Sequence, residues 1–197
     1  MNLSQLFIGS ANPGKQEEFG KAFQAFKHTK LILPPNDLAE PEEDGKTFAD
    51  NAYLKAKYYG DFKRIPALAD DSGLEVFALE GAPGIESGRW LRSFDQSQDA
   101  FGALADKLQG KDHGAQFVCH LCLYDPLTQQ AVTAEGILKG TLSFPARGEH
   151  GFGYDPLFVP EGYTQTLAEM GPTIKSRISH RHQAMMQLLL RLNQASS

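Results

Sequence analysis

The hydrophobic period of this chain switches repeatedly between strand-like and helix-like, and that switching limits what it can fold into. "QLFIGS" (5–10) is a short apolar run that stops at small residues, which predicts a strand. From Lys15 the period becomes helical, with apolar residues at Phe19, Ala22, Phe23 and Phe26. "TKLILPP" (29–35) predicts a strand closed by prolines. The polar loop 41–48 follows, and Thr47 is placed to cap a second helix with Ala49, Ala52, Ala56 and Tyr59 on one face. "PALAD" and "LEVFAL" predict strands with "DSG" as the break between them, and "GAPGIESGRW" predicts a loop. Phe101, Leu104, Ala105 and Leu108 mark a third helix. "AQFVCHLCLYD" and "QAVTAEGILKG" predict a strand pair joined across "DPLTQ". Residues 146–156 are a glycine-rich turn region, "LFVP" a short strand, and Ala184, Met185, Leu188, Leu189 and Leu192 a final helix. Helices and strands alternate early and strands cluster later. One α/β domain with a mixed sheet over residues 1–197 is the expectation.

Charge and cysteine content narrow the function. A formal net charge of -5 argues against a surface built to coat a nucleic-acid polymer. It leaves room for one small anion in a locally basic pocket. Cys119 and Cys122 are the two cysteines. A strand places them on opposite faces, so two buried thiols are expected rather than a metal or redox pair. No segment approaches the roughly 18 apolar residues of a membrane span, and no signal sequence is evident, so a cytoplasmic protein is expected.

Five stretches carry chemistry. "SANPGK" (Ser10, Ala11, Asn12, Pro13, Gly14, Lys15) joins the first strand to the first helix. Small residues there expose backbone N–H groups, the helix N-terminus adds positive potential, and Lys15 adds a cation, so the stretch suits a phosphate. It is not a Walker A loop. In "DDSG" (70–73) a strand-end carboxylate can hold Mg²⁺ or activate water, and Ser72 can bond a phosphate oxygen. A tight Asp turn and an aspartyl nucleophile are the other readings, the latter weakened because Gly73 stands where a second acid is usual. "EED" (42–44) offers further carboxylates. "GFGYDP" (151–156) mixes glycines with Phe152, Tyr154 and Asp155, suited to stacking on a base. "KSRISHRHQ" (175–183) gathers Lys175, His180 and Arg181 around a helix start with Ser179 as its cap.

Taken in this order, "SANPGK", "EEDGKTFADNAYLKA", "LADDSGLEV", "GAPGIES", "GFGYDPLF", "AEM" and "KSRISHRHQA" resemble the inosine/xanthosine triphosphate pyrophosphatase family, from residue 10 to about residue 190. The resemblance implies an elongated mixed α/β sheet flanked by helices, in two lobes with a central cleft (Maf/ITPase-like). It implies hydrolysis of ITP, dITP and XTP to the monophosphate and pyrophosphate, with Mg²⁺, in a homodimer. Ser10 to Lys15 would hold the triphosphate. Glu42 and Asp71 would serve Mg²⁺, with Asp71 also the base for water, and Ser72 would contact the nucleotide. Phe152, Gly153, Tyr154 and Asp155 would flank the base, and Lys175, His180 and Arg181 would read it. Adjacent Asp70 and Asp71 would be tolerated because a divalent cation compensates them. Three departures stand out: Pro13 removes an N–H from the phosphate loop, "SGRW" replaces Ser-Ala-Arg-Tyr, and His182 follows His-Arg where a small residue is usual. Two other readings remain at this point. "SHRHQ" argues against a Maf-like pyrophosphatase acting on other nucleotides; Asp71, Glu42 and Lys15 argue against a binding module without catalysis.

Overall fold

A computed structural model describes residues 3–10, 12–23, 29–35, 38 and 40–195. The elements run β1 (Gln5–Ile8), α1 (Pro13–Phe23), β2 (Lys30–Ile32), α2 (Phe48–Lys63), β3 (Ala67–Val76), α3 (Ser87–Arg92), α4 (Ser97–Lys107), β4 (Gly114–Asp125), β5 (Gln130–Leu142), β6 (Phe158–Pro160), α5 (Leu167–Ile178) and α6 (His180–Ala195). The strands form one mixed six-stranded sheet in the order β2-β1-β3-β4-β5-β6. β1 runs parallel to both β2 and β3, and β6 is antiparallel to β5. The α/β class and mixed sheet expected from the alternating periods are therefore present. Phe26 and Ala11 lie outside the described residues.

Two compact units make up the chain: Met1–Asp71, Cys119–Gly136 and Arg181–Ser197 form the first, Ser72–Val118 and Ile137–His180 the second. In the first, β3 has a different partner on each face because successive strand side chains point to opposite sides. Leu68 packs with Phe19 of α1 and Ala184, Met185 and Leu188 of α6. Ala69 packs with Ala52 and Ala56 of α2. β4 divides the same way, with Cys119 in the former cluster and Cys122 in the latter. Both thiols are buried, and burial pushes Cys122 up to about 12, which removes it from thiolate chemistry. The second unit has one core, with Leu74, Leu104, Phe117, Leu157 and Phe158 among its members.

Two local expectations are corrected, and one helix is new. "DSG" is no break: β3 runs unbroken from Ala67 to Val76, and Asp70 and Asp71 are interior strand residues. Turn propensity loses here to burial and to charged partners described below. "GAPGIESGRW" contains a short helix, α3, whose first residue Ser87 accepts a hydrogen bond from Leu74 N (2.8 Å) and donates to Gly84 O (2.6 Å). The periodicity does not predict α5, whose run is interrupted by Gly171 and Pro172. Gly171 does kink it, at φ 74°, while a Thr166–Glu169 capping box starts it. Thr47 caps α2 as expected, in a capping box with Asp50.

Candidate active site

The parallel register sets Ile8 beside Leu68, so the turn after β1 lies level with Asp70. Pro13 is the first residue of α1, where its missing N–H costs the helix nothing. Asn12 precedes it and accepts from Lys15 N (3.2 Å), while Ser10 Oγ accepts from Asn12 N (3.3 Å). Lys15, on the first turn, reaches Asp70 with Nζ 2.8 Å from Oδ2. Arg181 of α6 is on the same side, its Nε 3.8 Å from that oxygen and its Nη1 3.2 Å from Glu18 Oε2. Burial of Asp70 would raise its pKa, but Lys15, Arg181 and Lys55 outweigh it and hold the carboxyl well below the usual range.

Asp71 turns to the other face and meets α2. Its Oδ2 accepts from Asn51 Nδ2 (2.9 Å), and Lys55 Nζ is 3.7 Å from its Oδ1. Lys55 also bonds Glu43, and both Asn51 and Lys55 are buried. Asn51 also ties the acidic loop to β3, since its Oδ1 accepts from Gly45 N (2.9 Å). A Cβ on Gly45 would come 2.5 Å from that oxygen, so glycine is required there. Asp71 has its pKa raised by burial first, with Glu43 adding and Lys55 and Asn51 opposing. Lys55 is disfavoured by burial, yet Asp70, Asp71 and Glu43 together raise its pKa above the ordinary lysine value.

The second unit holds the other chemistry-bearing cluster. Asp155 is buried and accepts from Lys175 Nζ (2.7 Å) and Phe152 N (2.8 Å). Lys175 Nζ also stands 4.2 Å from the centre of the half-buried Phe152 ring. One carboxylate thus fixes a ring, its backbone and a cation together. Gly151 makes this possible: its φ is 82°, and a Cβ would fall 2.1 Å from Asp155 Oδ2. Gly153 also has a positive φ, 64°. Tyr154 is core, its hydroxyl donating to Ser87 O (3.0 Å) and its ring stacked on Trp90. His180 is buried and stacked on Phe117, with centroids 4.7 Å apart.

The sequence-derived residues therefore assort by unit. Ser10, Asn12, Pro13, Gly14, Lys15, Asp71 and Arg181 belong to the first, and Ser72, Phe152, Gly153, Tyr154, Asp155, Lys175 and His180 to the second. Glu42 is exposed, and Glu43 is the acid that meets Lys55. Sequence reasoning offers Glu43 only within the run 42–44 and does not single out Asn51 or Lys55. The signal that points to them is an Asn-x-x-x-Lys pair flanking the buried alanine stripe of α2, since i and i+4 share a helix face.

A Ham1 family model matches residues 6–190. The chain belongs to the Ham1 family. It is 44% identical over 203 residues to the dITP/XTP pyrophosphatase of Pseudomonas syringae pv. tomato, covering 98% of each chain. It is 42% identical over 192 residues to that of Caulobacter vibrioides, covering 94% of this chain and 96% of that one. The Ham1 protein structure from Staphylococcus aureus superposes with a TM-score of 0.83 at 34% identity, covering 98% of this chain and all of the other. The HAM1 protein structure from Coxiella burnetii gives 0.84 at 30% identity, covering 96% and 98%. Among the described residues, no helix is long and apolar enough to cross a membrane.

Proposed function

We propose that this Ham1 protein hydrolyses dITP, XTP and ITP to the nucleoside monophosphate and pyrophosphate. The observation that carries the reading is Asp71, a buried carboxylate whose position is fixed by a hydrogen bond from Asn51 Nδ2 (2.9 Å) and by Lys55 Nζ 3.7 Å away, so that it can act on a water as a general base. Full-length likeness to proteins named dITP/XTP pyrophosphatase supports the substrate class.

In this reading the triphosphate meets the turn Ser10–Lys15 and the positive end of α1. Asp71 accepts the proton of a water that attacks the α-phosphorus. An oxygen–phosphorus bond forms, the bond from the α-phosphorus to the bridging oxygen breaks, and pyrophosphate leaves with the bonding pair. At the base end, Phe152 supplies a stacking face, Lys175 supplies donors and Asp155 keeps both in place. Ser72 and His180 are assigned to the nucleotide as the sequence resemblance implies.

The donor set fits Mg²⁺. Asp71, Glu42 and Glu43 are oxygen donors, and Mg²⁺ commonly takes only one or two carboxylates, leaving other positions to water and phosphate. Among the described residues no group of three or more His, Cys, Asp or Glu stands together as a metal cage. Asp71 with Glu42 or Glu43 would hold the ion, which when bound would neutralise developing phosphate charge.

The test is to incubate the protein with Mg²⁺ and ITP, dITP, XTP, ATP or GTP, measuring pyrophosphate and orthophosphate separately. Pyrophosphate from the first three, with little from ATP, is expected. Stepwise orthophosphate, or equal use of ATP, would overturn the reading.

A further inference from the structure

Lys55 is an unusual occupant for an acidic site. It lies on the buried side of α2, with its amine bonded to Glu43 and 3.7 Å from Asp71 Oδ1. A lysine loses solvation and rotamer freedom when buried like this, so strong compensation is needed to keep it there. Compensation comes from the carboxylates a metal would use. Asn51 locks the arrangement from both ends, holding Asp71 through Nδ2 and the 41–47 loop through Oδ1.

We propose that Lys55 is a built-in counter-ion that stands in for a divalent cation in the nucleotide-free protein, so that metal binding requires its displacement from Glu43 and Asp71. This rests on the pyrophosphatase reading above. The consequence is coupling between two ligands. A metal entering alone meets a site already half neutralised by one positive charge, and the ammonium it displaces stays buried without its anions. A triphosphate supplies new anions for that ammonium, so Glu43 and Asp71 are released to the metal. Metal and nucleotide therefore bind cooperatively, through the Lys55 side chain. Without nucleotide, Lys55 offsets part of the charge of both acids.

Mn²⁺ alone is the probe, titrated into the nucleotide-free full chain by calorimetry. Lys55→Met should tighten Mn²⁺ binding by about tenfold or more, because a like charge bonded to Glu43 and 3.7 Å from Asp71 is removed. Lys55→Arg, which keeps the charge, should bind as weakly as the wild type. Equal affinity in all three proteins would overturn the counter-ion role and leave the pyrophosphatase reading standing. Failure of Mn²⁺ to bind any of them, while Mg²⁺-dependent hydrolysis of ITP persists, would overturn the inference alone. No binding and no hydrolysis would overturn both. If Lys55→Met does not fold, wild-type protein carrying ¹³C-labelled lysine answers the question by NMR. The Lys55 side-chain resonance should shift on Mg²⁺ addition, and binding that leaves it in place would overturn the proposal.

Discussion

Asp70 and Asp71 are adjacent in β3, yet their carboxylates are held from opposite faces: Lys15 of α1 reaches Asp70 at 2.8 Å, and Asn51 of α2 reaches Asp71 at 2.9 Å. Strand pleating converts neighbours in sequence into neighbours of different helices. Lys15, Arg181 and Lys55 place positive charge around the pair from within the protein itself. The two pKa values also move apart, Asp70 down and Asp71 up. Paired carboxylates driven in opposite directions commonly divide their roles. Here Asp70 holds Lys15 of α1 and Arg181 of α6, and in the proposed reading Asp71 is the group that exchanges a proton.

Asp71→Asn should therefore abolish hydrolysis and leave the fold intact. Asparagine fits the same space and keeps an acceptor for Asn51. Loss of the base costs about a hundredfold or more in kcat. Thermal melting and ITP turnover on the same sample decide it. Near-normal turnover would remove Asp71 from the mechanism.

Asp70→Asn should behave differently, as a stability variant whose effect depends on pH. The folded-state pKa of Asp70 is depressed, so its contribution is present above the unfolded value near 3.8 and is lost as pH falls below it. Removing one partner of a buried ion pair costs about 3–5 kcal/mol. The melting temperature of the variant should lie well below the wild type at pH 7, by roughly 10 °C. That gap should narrow as pH drops below about 4. A gap constant across pH would show that Asp70 stabilises by packing rather than by charge.

Legibility in the sequence varies with the kind of signal. Regular periods are readable: the Ala52–Ala56–Tyr59 face of α2 and the opposite-facing cysteines of β4 follow from spacing alone. Elements interrupted by glycine and proline are not, so α5 is hidden by its Gly171 kink. The acids of β3 stand out, but not their partners, because Lys55 and Asn51 are distant in sequence and look like ordinary helix-surface residues. Arg181 shows the same limit. Its position beside His180 suggests base reading, while its guanidinium reaches Glu18 and Asp70. Which partner a cation chooses is decided by tertiary packing, which a motif does not encode.

Gly151→Ala should damage the Phe152–Asp155–Lys175 cluster, which the proposed reading assigns to the base. At φ 82° an added Cβ is strained, and it would fall 2.1 Å from Asp155 Oδ2. The loop must then release Asp155 from Phe152 N or from Lys175. KM for ITP should rise about tenfold or more, matching loss of a charge-assisted hydrogen bond. Hydrolysis at saturating substrate should change much less. A fall in kcat with KM unchanged would place this loop near the reacting phosphorus instead.

Base choice should separate Lys175 from Arg181. Inosine and xanthine carry an oxygen at ring position 6, which only accepts, and adenine carries an amino group there, which donates. Lys175 has donors and no acceptor. Asp155 holds its amine 2.7 Å away and 4.2 Å from the Phe152 ring centre, so the ammonium is fixed beside a stacking surface. A 6-oxo purine on that surface meets a donor with an acceptor, and adenine meets it with another donor. Stacking favours every purine alike and gives no discrimination. Lys175→Met should therefore lower kcat/KM for ITP by about tenfold to a hundredfold and leave ATP hydrolysis nearly unchanged. The ITP-to-ATP ratio collapses with it. Arg181→Met should lower both activities by a common factor and depress the melting temperature, because its guanidinium serves Glu18 and buried Asp70. Measuring both nucleotides on both variants gives four values that decide the assignment. A ratio that survives Lys175→Met but collapses in Arg181→Met would assign base reading to Arg181 instead.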